Sequence, residues 1–114
     1  MTSRRDELAI NWQAVQTAVT TACESAGRNF AEVQIIAVTK TWPASDVDLL
    51  AELGVTNVGE NRDQEASTKH SQVTAANLKW HAIGQIQTNK VKSIAQWADV
   101  VHSIDRPELV EAFA

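Results

Sequence analysis

The sequence predicts an α/β protein: a parallel sheet of repeated βα units, about half of a (βα) barrel, with four such units preceded by a helix. Three observations carry this expectation. The run Val33-Gln34-Ile35-Ile36-Ala37-Val38 is short, β-branched and not alternating, as suits a strand covered on both faces. Strand-like segments then alternate with helix-like ones of about 10 to 15 residues, the pattern of crossovers between parallel strands. A complete eight-unit barrel takes about 250 residues, and this chain has 114.

Taken in order, Ser3 to Ala26 reads as an amphipathic helix, with Leu8, Trp12, Val15, Val19 and Ala22 at steps of four and three. Ser3 followed by Asp6 is an N-terminal capping arrangement, and Gly27 is a residue that ends helices. The first strand runs to Lys40 and is closed by Pro43. Ser45 is the expected cap of a helix over Asp46 to Leu53, which Gly54 terminates. Thr56 to Gly59 reads as the second strand, Arg62 to Ala76 as a polar helical stretch and Lys79 to Gly84 as the third strand. Thr88 to Trp97 follows as a crossover helix and Val100 to Ile104 as the fourth strand, with Pro107 in the first turn of another helix. Residues 1–114 thus form a single expected domain. Four parallel strands in an open arc leave two unpaired edges. Such edges invite self-association or pairing with a complementary half-barrel.

Composition narrows the functional classes. With 10 Lys and Arg against 14 Asp and Glu, the net charge is −4. The chain as a whole therefore has no electrostatic reason to seek nucleic acid. No apolar run approaches the roughly 20 residues of a membrane span, the N-terminus lacks the apolar core of a signal peptide, and Cys23 is the single cysteine. A cytoplasmic protein without membrane attachment is the expectation. The histidines have no metal-ligand spacing with one another or with Cys23, and no dinucleotide fingerprint, P-loop or nucleophilic serine elbow is present.

The residues with chemistry gather at the ends of the strands, which form the active face of a (βα) barrel. Lys40 ends the first. An amine at such a mouth, in its neutral form, can attack an aldehyde; an ordinary solvated strand-end lysine is the other reading, and position alone leaves both open. The second strand ends in Gly59-Glu60-Asn61. Glycine permits close backbone approach, and Asn61 offers a donor and an acceptor, though the tripeptide also suits a turn. In Trp80-His81-Ala82-Ile83-Gly84, one of Trp80 and His81 faces the barrel interior and the other the helices. His81 reads as a hydrogen-bonded core histidine or as a reactant. Thr88 is an expected helix cap. At the fourth strand, His102 or Ser103 points inward, while Asp105 and Arg106 pair or cap the next helix. His70 is expected in solvent.

Taken together, Ala37-Val38-Thr39-Lys40-Thr41, Gly59-Glu60-Asn61, Trp80-His81-Ala82-Ile83-Gly84 with Gln87-Thr88-Asn89-Lys90, and His102-Ser103-Ile104-Asp105 resemble the N-terminal half of the YggS/PROSC family, the pyridoxal-phosphate homeostasis proteins. The resemblance runs from about Val33 to Arg106. It implies a TIM-like barrel similar to the N-terminal domain of alanine racemase. It also implies pyridoxal 5'-phosphate (PLP) held as a Schiff base on Lys40, in a carrier with no established turnover. By the same resemblance Asn61 and His81 lie near the cofactor ring, Ile83 and Asn89 shape the mouth, and the phosphate-binding half of the barrel is absent from this chain. Trp42 stands where the family often has a basic residue, and Asp63 where it is commonly apolar or aromatic. An alanine-racemase-type PLP enzyme is the nearest alternative. Racemases use a tyrosine from a further domain as a second acid/base group, and this chain contains no tyrosine. A Schiff-base aldolase and a structural half-barrel without ligand are the others.

Overall fold

The computed structural model describes residues 3–114. The order is α1 (Arg4–Ala26), β1 (Ala37–Val38), α2 (Ala44–Glu52), β2 (Asn57–Glu60), α3 (Asp63–Gln72), β3 (Lys79–Ala82), α4 (Val91–Trp97), β4 (Val100–Val101) and α5 (Pro107–Phe113), with short 3-10 turns at Phe30–Glu32 and Thr88–Lys90. The strands form one sheet in sequential order, β1-β2-β3-β4, and every pairing is parallel. The expected fold class is the one found.

Alternation along the strands decides what packs where. Val58, Trp80 and Ala82 face the helices and join Val47, Ala66, Ile94, Trp97 and Leu109 in one apolar cluster. Trp80 is therefore the helix-side residue, and the ring of the exposed His70 meets it edge-on with centroids 5.0 Å apart. The molecule measures 43 × 38 × 21 Å. The short dimension matches one sheet under a single layer of helices, so the other face of the sheet is open and Val38 on it is 50% exposed. No helix among the described residues is long and apolar enough to cross a membrane.

The ends of α1 are those the sequence encodes. Ser3 Oγ accepts from the Asp6 N–H at 3.1 Å. Gly27 closes the helix at φ 66, with the Arg28 N–H donating to the Cys23 carbonyl at 2.8 Å, a left-handed closure natural to glycine. Its buried stripe differs from the expected one. Leu8, Trp12, Gln16, Val19 and Cys23 are covered, whereas Val15 and Ala22 are exposed, because the contact line drifts toward steps of four. Three further expectations are corrected. Ser45 does not cap α2; the helix starts earlier, with Pro43 at the cap position and Asp46 in the first turn. Thr88 makes no capping bond; its hydroxyl accepts from Arg106 at 2.9 Å. The polar stretch expected to be helical as far as Ala76 stops at Gln72, since Asp48 of α2 draws in the N–H groups of Thr74 at 3.0 Å and Ala75 at 2.9 Å. The outer strands are also shorter than expected, and Ser103, at φ 54, turns the chain just after β4.

Leu109 of α5 has no exposed surface. Leu109→Ala should lower unfolding stability by about 2–5 kcal/mol in urea titrations, against under ~1 kcal/mol for Val110→Ala at its exposed neighbour. Equal effects would remove α5 from the cooperative core.

Candidate functional site

Register aligns the open face. Val38 pairs with Gly59, Gly59 with His81 and His81 with Val100, so these four share one row. Just past the C-terminal ends of the four adjacent strands come Lys40, Asn61, Ile83 and His102, with Lys40 in the turn after β1. His81 and Ile83 share the open face with Gly59, while Asn61 and Lys40 follow one and two residues beyond the last residues of β2 and β1. Asn89 lies apart, exposed in the 3-10 turn before α4. Lys40 is exposed and belongs to no ion pair among the described residues. Gly59 matters for shape: a Cβ there would meet Ile36 Cγ2 at 3.2 Å and Ile83 Cδ1 at 3.4 Å. The absent side chain lets these two isoleucines close over the second strand.

Beneath the row runs a hydrogen-bonded relay. His81 Nε2 lies 2.8 Å from Asn57 Oδ1 and His81 Nδ1 lies 3.0 Å from His102 Nε2. The amide oxygen can only accept; Gln34 Nε2 also donates to it at 3.3 Å, while Asn57 Nδ2 donates to Thr56 Oγ1 at 3.2 Å. His81 therefore carries its proton on Nε2, and His102 donates from its own Nε2 to His81 Nδ1. Both alternatives for the fourth strand are resolved in favour of His102 as the inward residue. Burial pushes the His81 pKa below its ordinary value, and the neighbouring His102 and Lys79 push the same way. Asn57 was not singled out from the sequence: a lone asparagine in a strand carries no signal of its partner, His81, on the neighbouring strand.

A second network lies on the helix side, immediately behind Lys40. Lys69 Nζ, on a side chain 5% exposed, is 3.0 Å from Glu60 Oε2 and 3.2 Å from Glu65 Oε1. It also donates to the Thr39 carbonyl at 2.7 Å. The Thr39 hydroxyl donates to Glu60 Oε2, and the Thr41 N–H donates to Glu65 Oε1. That last bond, together with Lys69, holds the Glu65 carboxyl below its usual pKa. Glu60 is fully buried, and its Oε1 has no hydrogen-bond partner among the described residues. Removing one member of such a buried pair costs about 3–5 kcal/mol. Thr41 has φ 69, a left-handed conformation costing a β-branched residue roughly 1–2 kcal/mol. None of these charged residues except Glu60 lay in a segment with an expected role.

Two residues that depart from the family pattern have contacts of their own. The Arg4 guanidinium sits 4.7 Å from the Trp42 ring centroid and pairs with the buried Asp46 at 2.7 Å, tying α1 to the loop after β1. Asp63 accepts from the indole N–H of Trp97 at 2.9 Å, joining α3 to α4. A groove of ≈ 920 Å³ runs past Asn61, Arg62, Lys69, Gln87 and Lys90, and of the five expected site residues only Asn61 lines it.

The depressed His81 pKa has a direct consequence for stability. In the unfolded chain His81 protonates near its ordinary value of about 6.5, and in the fold only at lower pH. Its contribution is therefore fully present above about pH 6.5 and is lost as the pH falls through the folded value. The melting temperature should drop between pH 7.5 and 5.5, and His81→Asn, though less stable at pH 7.5, should flatten that slope. Thermal melts at both pH values check this, with His70→Asn as the exposed control; an unchanged slope in His81→Asn would refute it.

No family model matches the chain. Curated relatives do. The pyridoxal phosphate homeostasis protein of Mycobacterium leprae is 42% identical over 118 residues, 96% of this chain and 46% of its own length. That of Corynebacterium glutamicum is 48% identical over 80 residues, 70% of this chain and 35% of its own length. The chain spans about half the length of the curated relatives it matches. Among solved structures, PipY of Synechococcus elongatus PCC7942, known with and without PLP bound, superposes at TM-score 0.70 with 32% identity, over 83% of this chain and 45% of PipY. An unknown protein from Bifidobacterium adolescentis superposes at 0.83 with 29% identity, over 96% of this chain and 49% of its own. In sequence and in fold alike, the chain belongs to the pyridoxal phosphate homeostasis protein family.

Proposed function

We propose that residues 1–114 form the N-terminal half of a PLP-binding TIM-like barrel, and that the protein serves PLP homeostasis as a carrier without turnover. PLP is held as a Schiff base on Lys40. The observation that carries this reading is the position of Lys40: an exposed amine without an ion-pair partner among the described residues, just past the C-terminal end of its strand, at the end of the sheet that also carries Asn61, Ile83 and His102. The names of the relatives and the PLP-bound PipY support the choice of aldehyde.

The residues present fit the aldehyde and the ring. The Nζ of Lys40 supplies the nucleophile: its lone pair bonds to the aldehyde carbon, water leaves, and no oxidant or reductant is needed. Val38 with Ile36 and Ile83, which close over Gly59, offer an apolar bed, and Asn61 a polar edge, with Asn89 further out in the turn before α4. His81, held neutral between Asn57 and His102, sets the floor. The open edges at β1 and β4 are where a complementary half-barrel would join, with the phosphate loops that the family resemblance places there.

PLP added to the chain should give visible absorption of the protonated imine, and borohydride reduction followed by peptide mapping should place the label on Lys40. Lys40→Ala should lose at least about nine-tenths of that label. Equal labelling of Lys79, Lys90 and Lys92 would sink the assignment. Racemisation of alanine by the loaded protein would move it to the alanine-racemase type instead.

A further inference from the structure

The Schiff-base reading gives no task to the most deeply buried charges in the molecule. Glu60 and Lys69 are both sealed from solvent, and with Glu65 they form a chain of contacts. Each branch ends on a residue flanking Lys40. Lys69 Nζ takes the Thr39 carbonyl at 2.7 Å and Glu60 takes the Thr39 hydroxyl. Glu65 takes the Thr41 N–H. The Thr39 carbonyl also accepts from the Trp42 N–H at 3.2 Å, and the Thr39 N–H donates to Gly59 at 3.1 Å. The backbone on both sides of Lys40 is thereby pinned, while its amine stays exposed. The turn it sits in requires a positive φ at Thr41, which a β-branched residue does not choose unaided.

We propose that Glu60, Lys69 and Glu65 are positioning residues for Lys40, fixing the segment 39–41 so that the amine is presented along the open face toward a bulky aldehyde; this rests on the reading of Lys40 as the PLP lysine. Stability alone does not explain the arrangement. A buried ion pair is commonly no better for stability than apolar side chains of its volume, whereas its hydrogen bonds are directional. Here the directional bonds go to the backbone of residues 39 and 41 and to the Thr39 hydroxyl. Presentation also matters most for a large, planar aldehyde that must approach from one side. A one-carbon aldehyde has no such demand.

That difference in demand is the test. In the full chain, Glu65→Ala removes the acceptor for Thr41, Glu65→Gln keeps one, and Glu65→Ala with Thr41→Gly lets glycine hold the positive φ unaided. Borohydride trapping of PLP on Lys40 is timed against Lys92 in the same molecule. Reductive methylation with formaldehyde and amide exchange at residue 41 are followed in parallel. Glu65→Ala should lose protection of the Thr41 amide and slow PLP trapping about tenfold, with methylation of Lys40 within about twofold of the parent. Glu65→Gln should trap within about twofold of the parent, and the double variant should recover most of the rate. Parent-like trapping in Glu65→Ala, with the amide unprotected, would overturn the positioning role and leave the carrier reading intact. Equal slowing of PLP and formaldehyde would also overturn it, since the cluster would then act on the amine itself. A parent that traps PLP no faster on Lys40 than on Lys92 would instead overturn the carrier reading, and with it the task assigned to the cluster.

Discussion

Lys69 is a cation placed where a cation is costly, and much of the strand-end geometry depends on how it is satisfied. Its stem rises from α3 into the space between that helix and the sheet, and its ammonium finds two carboxylates and a backbone carbonyl there. Without those partners the charge would cost several kcal/mol to bury. With them, α3, β2 and the end of β1 are held at one point. The apolar cluster nearby presses the same elements together through Val47, Val58 and Ala66, but apolar contacts tolerate small slips that ionic hydrogen bonds do not. The packed core sets that these layers stack; the ion cluster sets where their ends stop.

Much of this was legible in the sequence, for reasons that are local. The element order followed from short β-branched runs, glycines at helix ends and two prolines at helix starts. The side of the sheet on which His81 lies followed once the register was known, because side chains in a strand alternate. Ile83 shares the face of His81 by the same arithmetic. These features are written in a few neighbouring residues each, and tertiary structure had little opportunity to overrule them.

What was not legible depended on partners distant in sequence. Glu65 and Lys69 are four apart on a polar helix, a spacing that normally marks a solvated pair on the surface. Glu60, nine residues before Lys69 and on a strand, and the Thr39 carbonyl draw that lysine inward. Asp48 ends α3 early by capturing backbone N–H groups 26 and 27 residues away. Arg4 engages Asp46, in the first turn of α2, across 42 residues. In each case a side chain answers a backbone or a charge that periodicity cannot see.

The lengths of the strands have a consequence for assembly. The two inner strands have four residues each and the two outer strands only two. An outer strand this short gives a passing peptide very little ladder to extend, so indiscriminate growth of the sheet is discouraged. Whatever completes the arc has to be chosen mainly by the fit of side chains across the open face, where Val38 lies uncovered. The brevity of the edges makes closure of this sheet a matter of shape recognition more than of backbone affinity.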